Sequence, residues 1–239
     1  MKKLLLFIII FFTLNAEDIN KLGQRCVVDG DMKSCNKLQN SCDLGDAKSC
    51  GFLGIVYFLG NKNIKINYFK AFKLNLKTCN LGMGPGCDLI AKMYRDGKGV
   101  KQSYFKAYNY FKKGCDLEYY SSCVDLGIAY MNGKVIKQDY NKAIMYYKKA
   151  CDNNEKIGCK LLSLSYFLDK KDFFKSYKYA KKGCKLGDGD SCGILGTLYE
   201  FGKGVKQDYK KAKFYYGKGC DLQSQNACDS YARLNKKGY

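Results

Sequence analysis

Fourteen cysteines recur along this 239-residue chain at fixed intervals. Twelve form pairs eight residues apart: Cys42/Cys50, Cys79/Cys87, Cys115/Cys123, Cys151/Cys159, Cys184/Cys192 and Cys220/Cys228. The other two, Cys26 and Cys35, are nine apart. First cysteines of successive pairs are separated by 37, 36, 36, 33 and 36 residues, so the chain is a repeat with a period near 36. Any fold it adopts must place a cysteine pair around a short turn at the same point of every unit.

Three chemistries use paired cysteines. Zinc ligands prefer pairs two to four apart, and redox motifs place two residues between their cysteines within a thioredoxin-like sheet. Here seven residues intervene, as in CKLGDGDSC at 184 to 192, and no strand pattern surrounds them. A staple fits better: a cysteine ending one helix faces another opening the next across an antiparallel turn, within disulfide reach. The chain start agrees. Met1, Lys2 and Lys3 form a basic head, residues 4–12 are apolar, and Ala16 offers a small residue for cleavage. Residues 1–16 therefore read as a signal peptide, too short to cross a bilayer core that needs roughly twenty residues. The mature chain is expected to lack a transmembrane segment, to be secreted or periplasmic, and to carry seven disulfides: Cys26–Cys35, Cys42–Cys50, Cys79–Cys87, Cys115–Cys123, Cys151–Cys159, Cys184–Cys192 and Cys220–Cys228.

Aligned on the second cysteine, the units share a helical face. Three residues on stand Leu53, Ile90, Leu126, Leu162 and Leu195; four on stand Gly54, Ala91, Gly127, Ser163 and Gly196; seven on stand Tyr57, Tyr94, Tyr130, Tyr166 and Tyr199. Spacings of three, four and seven mark one side of a helix, and these tyrosines read as core aromatics. A glycine-bearing turn such as GKGVKQ at 97–102 and 202–207 ends it. Asn67, Ser103, Asp139, Asp172 and Asp208 then supply N-cap residue types for a second helix. The predicted fold is all-α, an α-solenoid of disulfide-linked helix-turn-helix units. After the signal peptide, residues 17–239 form one repeat domain. It has a truncated opening unit at 17–49, units at about 50–79, 87–115, 123–151, 159–184 and 192–220, and a terminal half-unit at 228–239. The fourth unit carries FLDKKD in place of the glycine turn, which predicts a tighter bend with its helices intact.

These motifs, in LGIAYMNGKVIKQDYNKAIMYYKKAC at 126–151 and LGTLYEFGKGVKQDYKKAKFYYGKGC at 195–220, resemble the Sel-one-like repeat, a relative of the tetratricopeptide repeat. With a cysteine pair in each unit, the chain is similar to the Helicobacter cysteine-rich protein family. The resemblance implies a right-handed superhelix of disulfide-linked hairpins. It also implies penicillin-binding proteins with slow β-lactamase activity, or secreted proteins that meet host cells. A β-lactam or peptidoglycan fragment would be the ligand in the first case, a peptide or protein partner in the second.

The chain has no histidine, which removes zinc hydrolase motifs, serine triads and Cys/His dyads. No cofactor or metal is expected. An SxxK pair, the activated serine of β-lactamases, occurs at Ser34/Lys37 and Ser103/Lys106, without the SDN and KTG elements; Ser103 also falls at an N-cap. No catalytic residue is thereby assigned. The formal charge is +20, and only Arg25, Arg95 and Arg233 among the 42 basic residues are arginine. Lysine is a solvated point charge, and bidentate reading of phosphate or base edges favours arginine, so nucleic acid is not an expected partner. In related repeats the exposed side of the first helices lines a groove. Counting one, five, eight and nine from the second cysteine selects Asp88, Lys92, Arg95, Asp96, Met131, Asn132, Lys160, Phe167, Thr197, Glu200 and Phe201 as candidate ligand contacts.

Overall fold

The computed structural model describes residues 16–239; the expected signal peptide, apart from Ala16, lies outside them. Among the described residues are thirteen helices and no strand. They divide into two compact units, one up to Tyr119 and one spanning Tyr120–Tyr239. The first holds α1 (Ala16–Val27), α2 (Met32–Asp43), α3 (Ala47–Leu59), α4 (Tyr68–Asn80), α5 (Gly84–Asp96) and α6 (Tyr104–Asp116). The second holds α7 (Tyr120–Asn132), α8 (Tyr140–Asp152), α9 (Lys156–Leu168), α10 (Phe173–Lys185), α11 (Gly189–Phe201), α12 (Tyr209–Asp221) and α13 (Gln225–Lys236). Each unit is a run of helical hairpins, the all-α repeat fold expected.

Every cysteine is disulfide-bonded, and all are buried except Cys220 and Cys228, which are partly exposed. In the six bridges Cys26–Cys35, Cys42–Cys50, Cys79–Cys87, Cys151–Cys159, Cys184–Cys192 and Cys220–Cys228 the Cα atoms lie 4.5 to 5.0 Å apart. Cys26–Cys35 joins α1 to α2 within the opening pair, and each of the other five closes a turn between the end of one hairpin and the start of the next. In the chain-entropy model such a loop contributes about 2.5 kcal/mol.

Helix starts follow the N-cap prediction. Asn67, Ser103, Asp139, Asp172 and Asp208 accept the amide of the residue three further on, at 2.9 to 3.3 Å. Their own amides donate to the carbonyls of Tyr57, Tyr94, Tyr130, Tyr166 and Tyr199, at 2.7 to 3.0 Å. One bond thus closes every hairpin. It also explains the fourth unit, where residues 169–172 replace the seven-residue turns at 97–103 and 202–208. The closing bond from Asp172 survives at 2.9 Å, and α9 and α10 keep thirteen residues each.

Packing follows size. Leu53, Ile90, Leu126, Leu162 and Leu195 are buried. The small residue beside each leaves room for a large one on the second helix: a side chain on Gly127 would meet the Tyr147 ring at 2.4 Å, and one on Gly196 the Tyr216 ring at 2.5 Å. In the fourth unit Ser163 instead donates to the Ser176 carbonyl at 2.9 Å, and Ala180 stands at the register that Tyr147 and Tyr216 hold in their units. The seventh-position tyrosines stack on second-helix tyrosines with centroids 5.6 to 5.7 Å apart: Tyr94 on Tyr110, Tyr130 on Tyr146, Tyr166 on Tyr179 and Tyr199 on Tyr215. Over these rings sit Lys106, Lys142, Lys175 and Lys211, and Lys70 sits likewise over Tyr57, all at 5.1 to 5.5 Å.

Candidate functional site

In the C-terminal unit a groove of about 390 Å³ is lined by residues of α9, α11 and α13, with Tyr216 of α12 and Ser224 just before α13. Its apolar wall is Leu161, Leu164 and Ile194; its polar wall carries Thr197, Tyr216, Ser224, Asn226 and Ser230. Leu161 and Leu164 also face a smaller cavity of about 200 Å³ that Met131 and Tyr147 close.

Two ion pairs frame the groove. Lys160 on α9 meets Asp190 in the first turn of α11 at 3.1 Å, and the other oxygen of Asp190 accepts from the Ser224 hydroxyl at 2.7 Å. The Ser224 bond, with Lys160 beside it, holds the Asp190 carboxyl below its ordinary range. Behind the groove the Glu200 carboxylate, 4% exposed, takes both arms of the Arg233 guanidinium at 2.7 Å. It also accepts from the Tyr216 hydroxyl at 2.8 Å. Arg233 depresses the Glu200 carboxyl, while burial raises the Tyr216 hydroxyl from 10 to about 12. Thr197 shares a 3.1 Å bond with the same hydroxyl. These contacts fix α13 against α11 and α12, and so fix one wall of the groove.

The expected contact residues separate into groups. Lys160 and Thr197 line the groove, and Met131 lines the adjoining cavity. Asn132 is exposed at the end of α7. Glu200 lies behind the groove, engaged by Arg233 and Tyr216. Phe167 packs edge-on to Phe173 at 5.4 Å, and Lys203 stands over both rings and over Phe201. In the N-terminal unit Asp88 is buried and paired with Lys92 at 2.6 Å, and Arg95 pairs with Asp96 at 2.8 Å. Positions eight and nine after the second cysteine thus fall at helix ends beside the turns. The groove is lined from two before the cysteine to five after it: Asp190, Ile194 and Thr197 on α11, Asn226 and Ser230 on α13. That run keeps helical spacing and was open to a count begun three residues earlier.

The two SxxK serines meet carboxylate and backbone groups. Ser34 donates to Asp31 at 2.6 Å, and Ser103 caps α6 by accepting from the Lys106 amide. Among the described residues no cluster of three or more potential metal ligands occurs, and no helix is long and apolar enough to cross a membrane.

Helical hairpins of constant register, each with a cysteine-stapled turn, define an α-solenoid repeat protein. The Sel1 repeat model matches residues 47–83, 85–119, 121–155, 161–188 and 190–224, and the chain belongs to that family. A Sel1 repeat protein from Oxalobacter formigenes superposes with a TM-score of 0.81 at 20% identity, over 92% of this chain and 98% of that one. The protein c5321, a protective antigen of uropathogenic Escherichia coli with an SLR fold, gives 0.78 at 20% identity, over 92% and 49%. Both likenesses concern the fold. Helicobacter pylori cysteine rich protein B is 28% identical over 68% of this chain and 96% of its own, with a TM-score of 0.30. An uncharacterized protein of Haemophilus influenzae is 52% identical over 33 residues, 14% of this chain; the match spans 64% of that relative.

Proposed function

We propose that this chain is a non-catalytic binding module of an oxidising compartment, taking an extended segment of a partner polypeptide along the groove of its C-terminal unit. The groove carries this reading: three aliphatic side chains share a solvent-open trough with hydroxyl and amide groups. Such a surface holds a main chain by hydrogen bonds and one side chain by burial. The fourteen bonded cysteines support the compartment.

Capped peptides titrated calorimetrically into the oxidised protein test it. Leu164→Glu, which puts a charge in the apolar wall, and Asn226→Trp, which fills the trough, should each weaken binding at least tenfold. Binding indifferent to both would remove the groove from the reading. The β-lactam activity that the Helicobacter resemblance implies has its own assay: mass spectrometry after incubation with a penicillin. An acyl adduct on any serine would replace the binding module with an enzyme.

A further inference from the structure

The Lys160–Asp190 pair carries an inference about what the groove selects. The chain as a whole is strongly basic, with 42 lysines and arginines against 22 acidic residues, so a ligand drawn by bulk charge would be acidic. The groove is built otherwise. Lys160 is spent on Asp190 at 3.1 Å, Asp190 is completed by Ser224 at 2.7 Å, and Glu200 is spent on Arg233 and Tyr216. Thr197 is spent too, on the Gly193 carbonyl and the Tyr216 hydroxyl, and what remains to meet a ligand is neutral: the Ser230 hydroxyl, the Asn226 amide, and the side chains of Leu161, Leu164 and Ile194.

We infer that Lys160 and Asp190 are specificity-determining residues, which cancel each other so that the groove takes an uncharged peptide stretch bearing one aliphatic side chain. The inference rests on the groove being the binding site. A charge entering the trough would lose hydration and find no free counter-charge, and burial without a partner is costly. Discrimination would therefore come by rejection of charged segments, acidic ones included, against the pull of the whole molecule.

Breaking the pair should redirect the choice. Lys160→Ala leaves the Asp190 carboxylate facing the trough and favours lysine-bearing peptides. Asp190→Ala frees Lys160 and favours acidic ones. Exchanging the two charges, Lys160→Asp with Asp190→Lys, restores the pair and with it the neutral choice. All four proteins are exposed, oxidised and at about 0.3 M salt, where free surface charges are screened, to an array of capped octapeptides. The central residue is leucine, flanked by neutral, glutamate or lysine residues. Natural and exchanged proteins should prefer neutral flanks at least tenfold, and each single variant should move at least tenfold toward the opposite charge. Acidic preference in the natural protein, or single variants with unchanged selectivity while Leu164→Glu still abolishes binding, would overturn the inference and leave the groove reading intact. Loss of all peptide binding in the natural protein, or binding that Leu164→Glu leaves untouched, would overturn both. Thermal unfolding of each variant shows whether it is folded, and the exchanged protein tests the idea even where a single variant is destabilised.

Discussion

At the residue scale the chain's lysine content divides into jobs. Five lysines, three residues after the N-caps, lie over seventh-position tyrosines, a contact worth about 0.5–1 kcal/mol where solvent reaches it. Others reach back to the preceding hairpin: Lys77 donates to the Cys42 carbonyl at 2.6 Å and Lys182 to that of Asp152 at 3.1 Å, at helix C-termini where a cation is favoured. Size matching is as local. A methyl on Gly196 would press on a Tyr216 ring held by Glu200 and Thr197. Gly196→Ala should therefore cost about 1–3 kcal/mol in denaturant unfolding, and Tyr216→Ala in the same chain should relieve that strain. The small-residue positions were legible because they recur at one helical register. The lysine stacks were not: on paper a lysine next to a cap looks like solvated surface, and its ring partner lies on the other helix.

At the element scale, the bond from the N-cap amide to the tyrosine carbonyl leaves turn length free to vary, so the short fourth turn is tolerated. The glycine turn does more than reverse the chain. Gly204, at φ +69°, lies against the backbone of Phe173, where an added side-chain carbon would come within 2.7 Å. Gly187, at φ +82°, has open space around it. Gly187→Ala should thus cost about 1 kcal/mol, the left-handed penalty alone. Gly204→Ala should cost clearly more, because backbone cannot move aside, and equilibrium unfolding of both variants measures the difference. Gln102, Gln138 and Gln207 extend the same logic, each donating at 2.7 Å to a carbonyl at the end of the first helix. Their recurrence in the turn motif was visible in the sequence; their bond was not, since it spans seven residues around a bend whose shape the motif alone does not give. The groove was half legible for a similar reason. Periodicity names the exposed side of a helix, but which half of it faces a trough depends on how neighbouring hairpins lean together.

At the scale of the whole molecule, stability should depend on pH at both ends. The carboxyls of Asp31, Asp96, Asp172, Asp190, Glu200 and Asp208 are held low by their hydrogen-bond and cationic partners. Their contribution is present above the ordinary carboxylate range and lost as pH falls through the lowered values. Burial raises Tyr147 and Tyr216 from 10 to about 12; their contribution is present below pH 10 and lost as pH rises toward about 12. Thermal midpoints should be flat from about pH 6 to about pH 9 and fall on either side, with late-ionising tyrosines visible in ultraviolet absorbance. A flat alkaline limb would contradict the buried tyrosines. Reduction should lower the midpoint in proportion to the bridges opened, at about 2.5 kcal/mol each as an upper figure. A thiol assay on the unreduced protein should read near zero.

The stapled turn has a consequence for ancestry. Each full hairpin brings its own cap and half of two cysteine links, four of the five add a ring stack, and each needs only a like hairpin on either side. A stretch of coding sequence that copied one period would therefore deliver a finished part, with its cysteines already in register to join the parts around it. A copying slip at another period would leave thiols without partners. Lengths of such chains should accordingly change by whole repeats, with turns between first and second helices, as in the fourth unit, taking up the small differences.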